Sequence, residues 1–535
     1  MRRTALLGVL AALALTPVAT RPSQAQSYDV ILRGGRVLDG TGNPWYYADI
    51  ALKGGRIEAI GKLEGARATR VVDVSGLYVA PGFIDAHSHA GSGFTTGSLN
   101  AAQPLLAQGV TTVFINPDGG GAVDLAAQRA KLSERGLGVN AAPLVPHGSV
   151  RRAVLGMADR APTAAEMDRM RALVRAGMED GAFGLSSGPY YTPGSYAKTE
   201  ELVELARVVA PYGGVYTSHI RDEGDFSIGV VAAVDEVIRI SREARLPGIV
   251  THIKVLGPHV WGYSNALVHR IDRARSEGVE VFADQYPYTA SATGLTGALV
   301  PPWAQVDGDS AMLRRIDDPA ESGRLRAGII ENLARRGGAD RIQFRHHSAD
   351  PSIEGRTLKE VAAERGVEPV EAVLQLLKAG GASVVSFNMI DADVDLLMRQ
   401  PWTMTSSDGE LVPFGEGVPH PRAYGTFPRK LGLYARDRGV VDLAFAVRSM
   451  TSLPATVLGL RDRGILREGA VADIVVFDLD RIADPATFQK PHQLAEGMVH
   501  VFVDGQFAIE DGKFARQLHG RVLSRRPSAG PAGGR

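Results

Sequence analysis

Short, mostly apolar runs of five to eight residues alternate with stretches of helical periodicity through the middle of this 535-residue chain, bounded by Gly, Pro or small polar residues. The runs fall at 77–84, 111–115, 140–146, 182–187, 213–218, 248–253, 279–286, 382–388 and 403–407, and helical patterns such as 163–177 and 228–244 lie between several of them. Runs with so little polar alternation predict strands buried on both faces. Repeated strand–helix units build a parallel sheet, and eight of them close a (β/α)8 TIM barrel. Nine runs compete for eight places. The interval 293–349 reads as an inserted, largely helical subdomain, which makes 382–388 the extra strand.

The two ends of the chain follow a different pattern. "VILRGGRVLDG" and "IALKGGRIEAIG" near the start, and "ADIVVFDLD" and "VHVFVDGQFAIEDGKF" near the end, are strand-like segments with Gly-Gly or Asp-Gly turns. Such pairs favour the positive φ that tight hairpins demand. Residues 26–78 and 455–515 are therefore expected to build one small β-sandwich around the barrel at 79–454, with a flexible Gly/Pro-rich tail at 516–535. Ahead of all this, "MRRTALLGVLAALALTPVATRPSQAQ" pairs Arg2 and Arg3 with an apolar core and a small-residue site. Residues 1–25 read as a secretory signal peptide, by the general or the twin-arginine route, giving an exported, periplasmic or secreted chain. No later segment approaches the roughly 20 apolar residues of a membrane span.

Composition narrows the chemistry. Fifty-nine basic residues balance fifty-nine acidic ones, so nothing draws the chain toward nucleic acid or an anionic membrane, and a small-molecule substrate is the expected partner. The sequence leaves a single chain and a homo-oligomer equally open. Cysteine is absent, which excludes thiol nucleophiles and thiolate metal sites; any metal must be held by His or carboxylate.

Catalytic groups of a TIM barrel gather at the C-terminal ends of its strands. There the sequence places His87 and His89 after the first run, Asp118 after the second, His147 after the third, His219 and His252 at the fifth and sixth, and Asp408 at the last. Side chains two apart on a strand share a face, so His87 and His89 point at one spot. Convergence of this set suits Zn2+, which takes neutral imidazole and carboxylate ligands and lowers the pKa of water. Asp408 is the candidate general base and then general acid. His147 and Arg151 suit either a substrate contact or a local pairing, Arg221 and Glu223 read as a structural ion pair, and Tyr190 and Tyr191 suit a pocket wall.

"PGFIDAHSHA", the single histidines after the fifth and sixth strands and "SSDG" resemble the metal-dependent amidohydrolase superfamily. "HGSVR", "SHIRDEG", "ADQYPYTAS" and above all "HPRAYGTFPRKLG" resemble its D-aminoacylase (N-acyl-D-amino-acid deacylase) branch. The resemblance implies His219 and His252 as tight zinc ligands, with His87 and His89 completing the pocket or holding a second, weaker metal. It implies Asp408 as acid/base, Arg422 as anchor of the substrate carboxylate and Tyr286 or Tyr288 as a substrate or oxyanion contact; if Arg422 only supports structure, Arg151 or Lys254 is the alternative cation. Two departures stand out. The branch uses a cysteine after the second strand, where this chain has Asp118, and many superfamily members carry a carboxylated lysine on the fourth strand, where "AFGLSSG" has none. Asp118 is then either the replacement ligand or a sign of a one-metal site; an oxygen ligand puts Zn2+ first and Mn2+ or Co2+ behind it.

The expected function is hydrolysis of the amide bond of N-acyl amino acids, with the D form first. Hydrolysis of cyclic amides, lactones or dipeptides at the same site, and a non-catalytic scaffold, are the competing readings.

Overall fold

The computed structural model describes residues 27–525, so the signal-peptide reading of 1–25 lies outside the described residues. Both chain ends build one nine-stranded sheet, in which Ile474–Phe477 from the C-terminal part pairs antiparallel with Tyr78–Pro81 from the N-terminal part. The expected sandwich is this single sheet folded over its own core. Its edge strand Arg56–Gly61 returns to the segment just ahead of Ile474, with Ile57 N donating to Ala470 O at 2.9 Å, and Val30, Ile50, Val79, Ile474 and Phe502 fill the interior.

Residues 77–84, expected as one barrel strand, are divided between the two domains. Tyr78–Pro81 belongs to the terminal sheet and Phe83–Asp85 is the first barrel strand. Gly82 separates them. A Cβ there would meet Thr111 Oγ1 at 2.2 Å, so only glycine lets the chain cross so close to the second strand.

The barrel places are filled by Phe83–Asp85, Val110–Ile115, Asn140–Pro143 continuing as Val145–Pro146, Gly184–Ser187, Val215–Ser218, Gly248–Val250, Val281–Gln285 and Thr403–Thr405. All neighbouring pairs are parallel. The last strand closes on the first where Asp408 N donates to His87 O at 2.9 Å and His89 N donates to Gly409 O at 2.8 Å. Inside, Ile84, Phe114, Phe183, Val215, Ile249 and Met404 form one apolar plug. Outside, helices such as Ala164–Glu179 and Val230–Ala244 cover the strands; the former starts with a capping box between Thr163 and Glu166.

The extra run, 382–388, joins the insert. Ser383–Ser386 pairs antiparallel with both Ser291–Gly294 and Ile342–His346, so the inserted unit reaches well past the expected 349 and carries a three-stranded sheet as well as helices. The expected tail also changes. Residues 519–525 pack under the barrel: Leu523 N donates to Ala141 O at 2.8 Å, Arg525 N to Gly181 O at 2.9 Å, and the Leu523 side chain joins the interior plug. Among the described residues no helix is long and apolar enough to cross a membrane.

One buried cation sits beside the last strand. Lys430 is 2% exposed and donates to Thr405 Oγ1 at 2.9 Å and Ser449 Oγ at 2.8 Å, both neutral. Burial lowers its pKa from 10.5 to about 7. Through the window between those values the unfolded chain holds a proton that the folded chain has released, so stability rises with pH there. The difference in Tm between parent and Lys430→Met should therefore shift in the parent's favour from pH 7 to pH 9. A pH-independent difference would show that Lys430 is charged in the folded state.

Candidate active site

The polar strand ends meet around one carboxylate. Asp118 Oδ1 lies 3.3 Å from His87 Nε2 and 3.5 Å from His252 Nε2; Oδ2 lies 3.3 Å from His89 Nε2 and 3.8 Å from His219 Nδ1. Each oxygen thus faces one histidine of the first strand and one from the fifth or sixth. Asp408 closes the ring, with Oδ1 3.5 Å from His87 Nε2 and 3.1 Å from His89 Nε2.

Backbone conformation brings several of these groups inward. Ile249 belongs to the interior plug and Val250 to the outer core, so strict alternation would send His252 outward with Val250. His252 instead has φ of 38°, and the left-handed turn redirects its ring into the barrel mouth. Asp118 and Asp408 also have positive φ, 53° and 48°. Aspartate tolerates this region better than most residues. The turn at Asp118 is fastened from the fourth strand, where Ser186 Oγ donates to Asn116 O at 2.6 Å and accepts from Gly119 N at 3.2 Å. Ser186 serves the second-strand turn on the strand where other superfamily members carry lysine.

Two buried carboxylates hold the ligand-bearing strand ends. Asp284 accepts from His252 N at 2.8 Å and Ser406 Oγ at 2.6 Å. Asp85 accepts from Ser407 N at 2.8 Å, from Ser407 Oγ and from His87 N at 3.3 Å, and burial pushes its pKa up to about 7.

The donor set fits a divalent metal. His87 Nε2, Asp118 Oδ1 and both ring nitrogens of His219 are buried without a hydrogen-bond partner, a costly arrangement unless something else coordinates them. Burial pushes the His219 pKa down to about 4, so its ring is neutral and its lone pair free. Burial opposes the charge of Asp118, but His87 and the other imidazoles hold it well below the usual carboxylate range. His87, Asp118, His252 and Asp408 form one group of potential ligands, and His219, Glu223 and His252 a second. Lys254 decides between the two sides. Its ammonium contacts Glu223 Oε1 and lies 2.7 Å from His252 Nδ1, already placing a cation on the Glu223 side. The metal side is therefore the one around Asp118.

Beside this centre lies a cavity of about 800 Å3 that the inserted unit helps to wall. Arg422 reaches it at the start of the helix Arg422–Arg429, with Nη1 2.6 Å from Asp408 Oδ2 and its guanidinium 4.7 Å from the Tyr286 ring centroid. His420 accepts from Arg422 N at 3.0 Å and directs its other ring nitrogen to Ala290 O at 3.0 Å, which fixes the entry to that helix. Lys254, Tyr286 and Tyr191 also line the cavity, the last with its ring 4.6 Å from that of His219 and its hydroxyl 3.0 Å from Thr293 Oγ1.

Three sequence readings change here. His147, which the sequence left open to a substrate contact or a local pairing, is fully buried in an ion-pair cluster, 2.9 Å from Glu201 Oε1, and Arg151 joins the same carboxylate. The helix that begins at His147 turns its side chain against the neighbouring helix, leaving Gly148 and Ser149 at the cavity. Tyr288 donates to Asp484 Oδ2 at 2.7 Å, away from the cavity, so of the two tyrosines Tyr286 is the one that lines it. Arg221 pairs with Glu236 at 2.7 Å, which frees Glu223 for the histidines and Lys254. His420 and Arg345 of the insert were missed, and Glu223 was read only as the ion-pair partner of Arg221. Glu223 had a signal, standing four residues after His219; Arg345 had none.

Asp118→Ala should lower the zinc affinity or stoichiometry of purified protein, read by elemental analysis after dialysis, with the circular dichroism spectrum retained. Unchanged metal content in a folded variant would remove Asp118 from the ligand set.

Comparison with known proteins agrees with this geometry. The profile of the amidohydrolase family matches residues 70–509. A D-aminoacylase of Alcaligenes xylosoxydans xylosoxydans is 37% identical over 526 residues, covering 94% of this chain and 99% of the relative. A structure of D-aminoacylase described as having a binuclear metal center superimposes with a TM-score of 0.80 at 35% identity, covering 93% of this chain and 100% of that one. N-acyl-D-glutamate deacylase from Bordetella bronchiseptica, complexed with zinc and a phosphonate mimic of the tetrahedral intermediate, gives 0.79 at 34% identity with the same coverage. A catalytic barrel with histidines and aspartates converging at its mouth, matched over this length, makes the chain a member of the amidohydrolase family.

Proposed function

We propose that this protein is a metal-dependent hydrolase of N-acyl-D-amino acids, releasing the acyl group as a carboxylate and the amino acid as its free amine. The observation that carries the reading is the contact of Asp408 with two unlike neighbours: imidazoles on one oxygen, Arg422 on the other. A proton acceptor and a carboxylate-binding cation thus share one wall of the cavity. The activities of the relatives, D-aminoacylase and the deacylases of N-acyl-D-glutamate and N-acyl-D-aspartate, support the substrate class.

A divalent metal, Zn2+ first, bound by Asp118 with His219, His252, His87 and His89, supplies Lewis acidity and makes water acidic near neutral pH. The protein does the rest. Asp408 enters the reaction ionised: burial opposes its charge, but Arg422 and His252 hold its pKa well below the carboxylate range. It can take the proton of the attacking water and deliver it to the leaving nitrogen. Arg422 has five N–H donors in a planar fork, and its pairing with Asp408 leaves others for the substrate carboxylate. With that carboxylate fixed at Arg422 and the scissile carbonyl at the histidines, the substituents on the α-carbon cannot exchange places, which is a physical basis for preferring D over L. Tyr286 packs under the guanidinium and holds its plane.

We further propose that the chain is exported, on the charged, apolar and small-residue pattern of residues 1–25.

The direct test is a panel of paired N-acetyl-D and N-acetyl-L amino acids, cyclic amides and dipeptides, assayed before and after chelation and after adding back zinc. Turnover of linear N-acyl-D substrates that disappears with the metal is expected; turnover confined to cyclic amides or dipeptides would overturn the reading. Asp408→Asn should cut kcat by about 10²-fold or more with metal retained, and near-parent turnover would exclude Asp408 as the base. Arg422→Met should raise KM strongly for acyl amino acids but far less for the matched neutral amides. Equal losses on both would make Arg422 a structural partner of Asp408.

A further inference from the structure

Glu223 stands behind the histidines. Its carboxylate is 4% exposed, with Oε1 3.0 Å from His252 Nδ1 and Oε2 3.6 Å from His219 Nε2. The opposite nitrogens of the same rings, His252 Nε2 and His219 Nδ1, are the ones that face Asp118. One carboxylate therefore meets the outward nitrogen of both rings, one oxygen to each. We propose that Glu223 is a positioning residue of the metal centre, facing the outward nitrogen of His252 at 3.0 Å and that of His219 across 3.6 Å, so that a carboxylate charge behind both rings favours the tautomer whose lone pairs point inward.

The chemistry requires such an acceptor. A neutral imidazole has one lone-pair nitrogen and one N–H, and whichever partner takes the N–H decides which nitrogen can ligate. Carboxylates behind ligating histidines perform this task widely, raising ligand basicity as well as setting orientation. Here the rings turn different atoms toward Asp118, Nδ1 for His219 and Nε2 for His252, so no single rotamer rule would set both; a shared carboxylate behind them would. The helix-like spacing of His219 and Glu223, four residues apart, brings the acid back toward the ring, and Leu256 N donates to Glu223 O at 2.7 Å to hold that turn against the sixth-strand loop. Lys254 completes the arrangement. Its ammonium contacts Glu223 Oε1 and lies 2.7 Å from His252 Nδ1. Without metal the His252 ring can accept from Lys254 there. Were a metal held at Nε2, the ring would keep its proton on Nδ1 and turn it to Glu223, with Lys254 left on the carboxylate.

A role limited to anchoring Lys254 predicts different variants. The inference rests on the metal-dependent reading above, but its readout is metal binding in the absence of substrate, so a failure of the substrate assignment leaves the test intact. Zinc affinity is measured by competition with a chromophoric chelator for the full-length parent, Glu223→Gln and Lys254→Met. The amide of Gln has one acceptor oxygen and presents N–H to the second ring, so affinity should fall by about 10- to 100-fold in Glu223→Gln. It should stay within about threefold of the parent in Lys254→Met. Parent-like affinity in Glu223→Gln, or equal losses in both variants, would overturn the proposal. The parent alone supplies a second check that needs no variant to fold. In 15N-histidine-labelled, zinc-loaded protein, His219 should show its ligand shift on Nδ1 and His252 on Nε2, and the reverse assignment for either ring would also overturn it.

Discussion

A buried carboxylate facing four imidazoles is the arrangement on which the rest of the molecule depends. An ion removed from water costs several kcal/mol unless its surroundings replace the lost hydration. Asp118 finds that replacement in His87, His89, His219 and His252, drawn from three different strand ends. The barrel is what makes the meeting affordable in geometry, because parallel strands end on one rim. It does not suffice alone. Asp118, His252 and Asp408 all occupy the left-handed backbone region, where a non-glycine residue costs on the order of 1–3 kcal/mol. Ser186 holds the turn at Asp118, Asp284 that at His252, and the hydrogen bond from Asp408 N to His87 O holds the turn at Asp408.

Units outside the barrel finish the cavity. The insert contributes Arg336 and Arg345, and its strand Ile342–His346 also grips the loop after the last barrel strand, where Val418 N donates to Arg345 O at 2.7 Å and Arg345 pairs with Glu410. That loop runs from Asp408 to Arg422, so the insert fixes the distance between the proton acceptor and the guanidinium. From the other side the terminal β-domain region supplies Asp484, which binds Tyr288 and lies 3.5 Å from Arg429, at the far end of the Arg422 helix. Arg345 is itself under strain: burial and the neighbouring Arg422 lower its pKa to about 9. Each of the two guanidiniums is paired with a carboxylate of the same loop, Arg345 with Glu410 and Arg422 with Asp408.

Much of this was legible in the chain because it depends on local pattern. The apolar runs marked all eight barrel strands, and polar residues at their C-terminal ends marked the metal centre; parallel strands put those ends together whatever the details of packing. What failed to show was set by contacts distant in sequence. Ser291–Gly294 gave no signal, and the run at 382–388 showed as an extra strand without showing its partner, so the insert looked shorter than it is. The tail at 519–525 has the composition of a disordered end and is ordered by Ala141 and Gly181. His147 shared the strand-end position of the true site residues, but the helix beginning at that residue directs its ring to Glu201. Residue type and position predict a site only where the backbone direction is also fixed, and His252, turned inward by a positive φ against its strand's alternation, shows the same limit from the other side.

The replacement of a thiolate by Asp118 has a consequence for the metal that follows from shape as well as softness. A sulfur presents one atom to every neighbour. A carboxylate presents two, and here Oδ1 serves His87 and His252 while Oδ2 serves His89 and His219. The two oxygens do not divide the histidines into the first-strand pair and the fifth- and sixth-strand pair; each oxygen spans both. Coordination by one oxygen therefore leaves the other free to accept from a protonated imidazole of the opposite pair. Burial works against a proton on His87 and His89, but Asp118 and Asp408 raise the pKa of both rings above that of an ordinary imidazole. Oxygen and imidazole ligands also accept Mn2+ and Co2+ more readily than a thiolate-containing set would. The turn that carries this carboxylate is fastened from the fourth strand, where Ser186 Oγ donates to Asn116 O and accepts from Gly119 N, so the position of both oxygens depends on a neighbouring strand as well as on Asp118 itself.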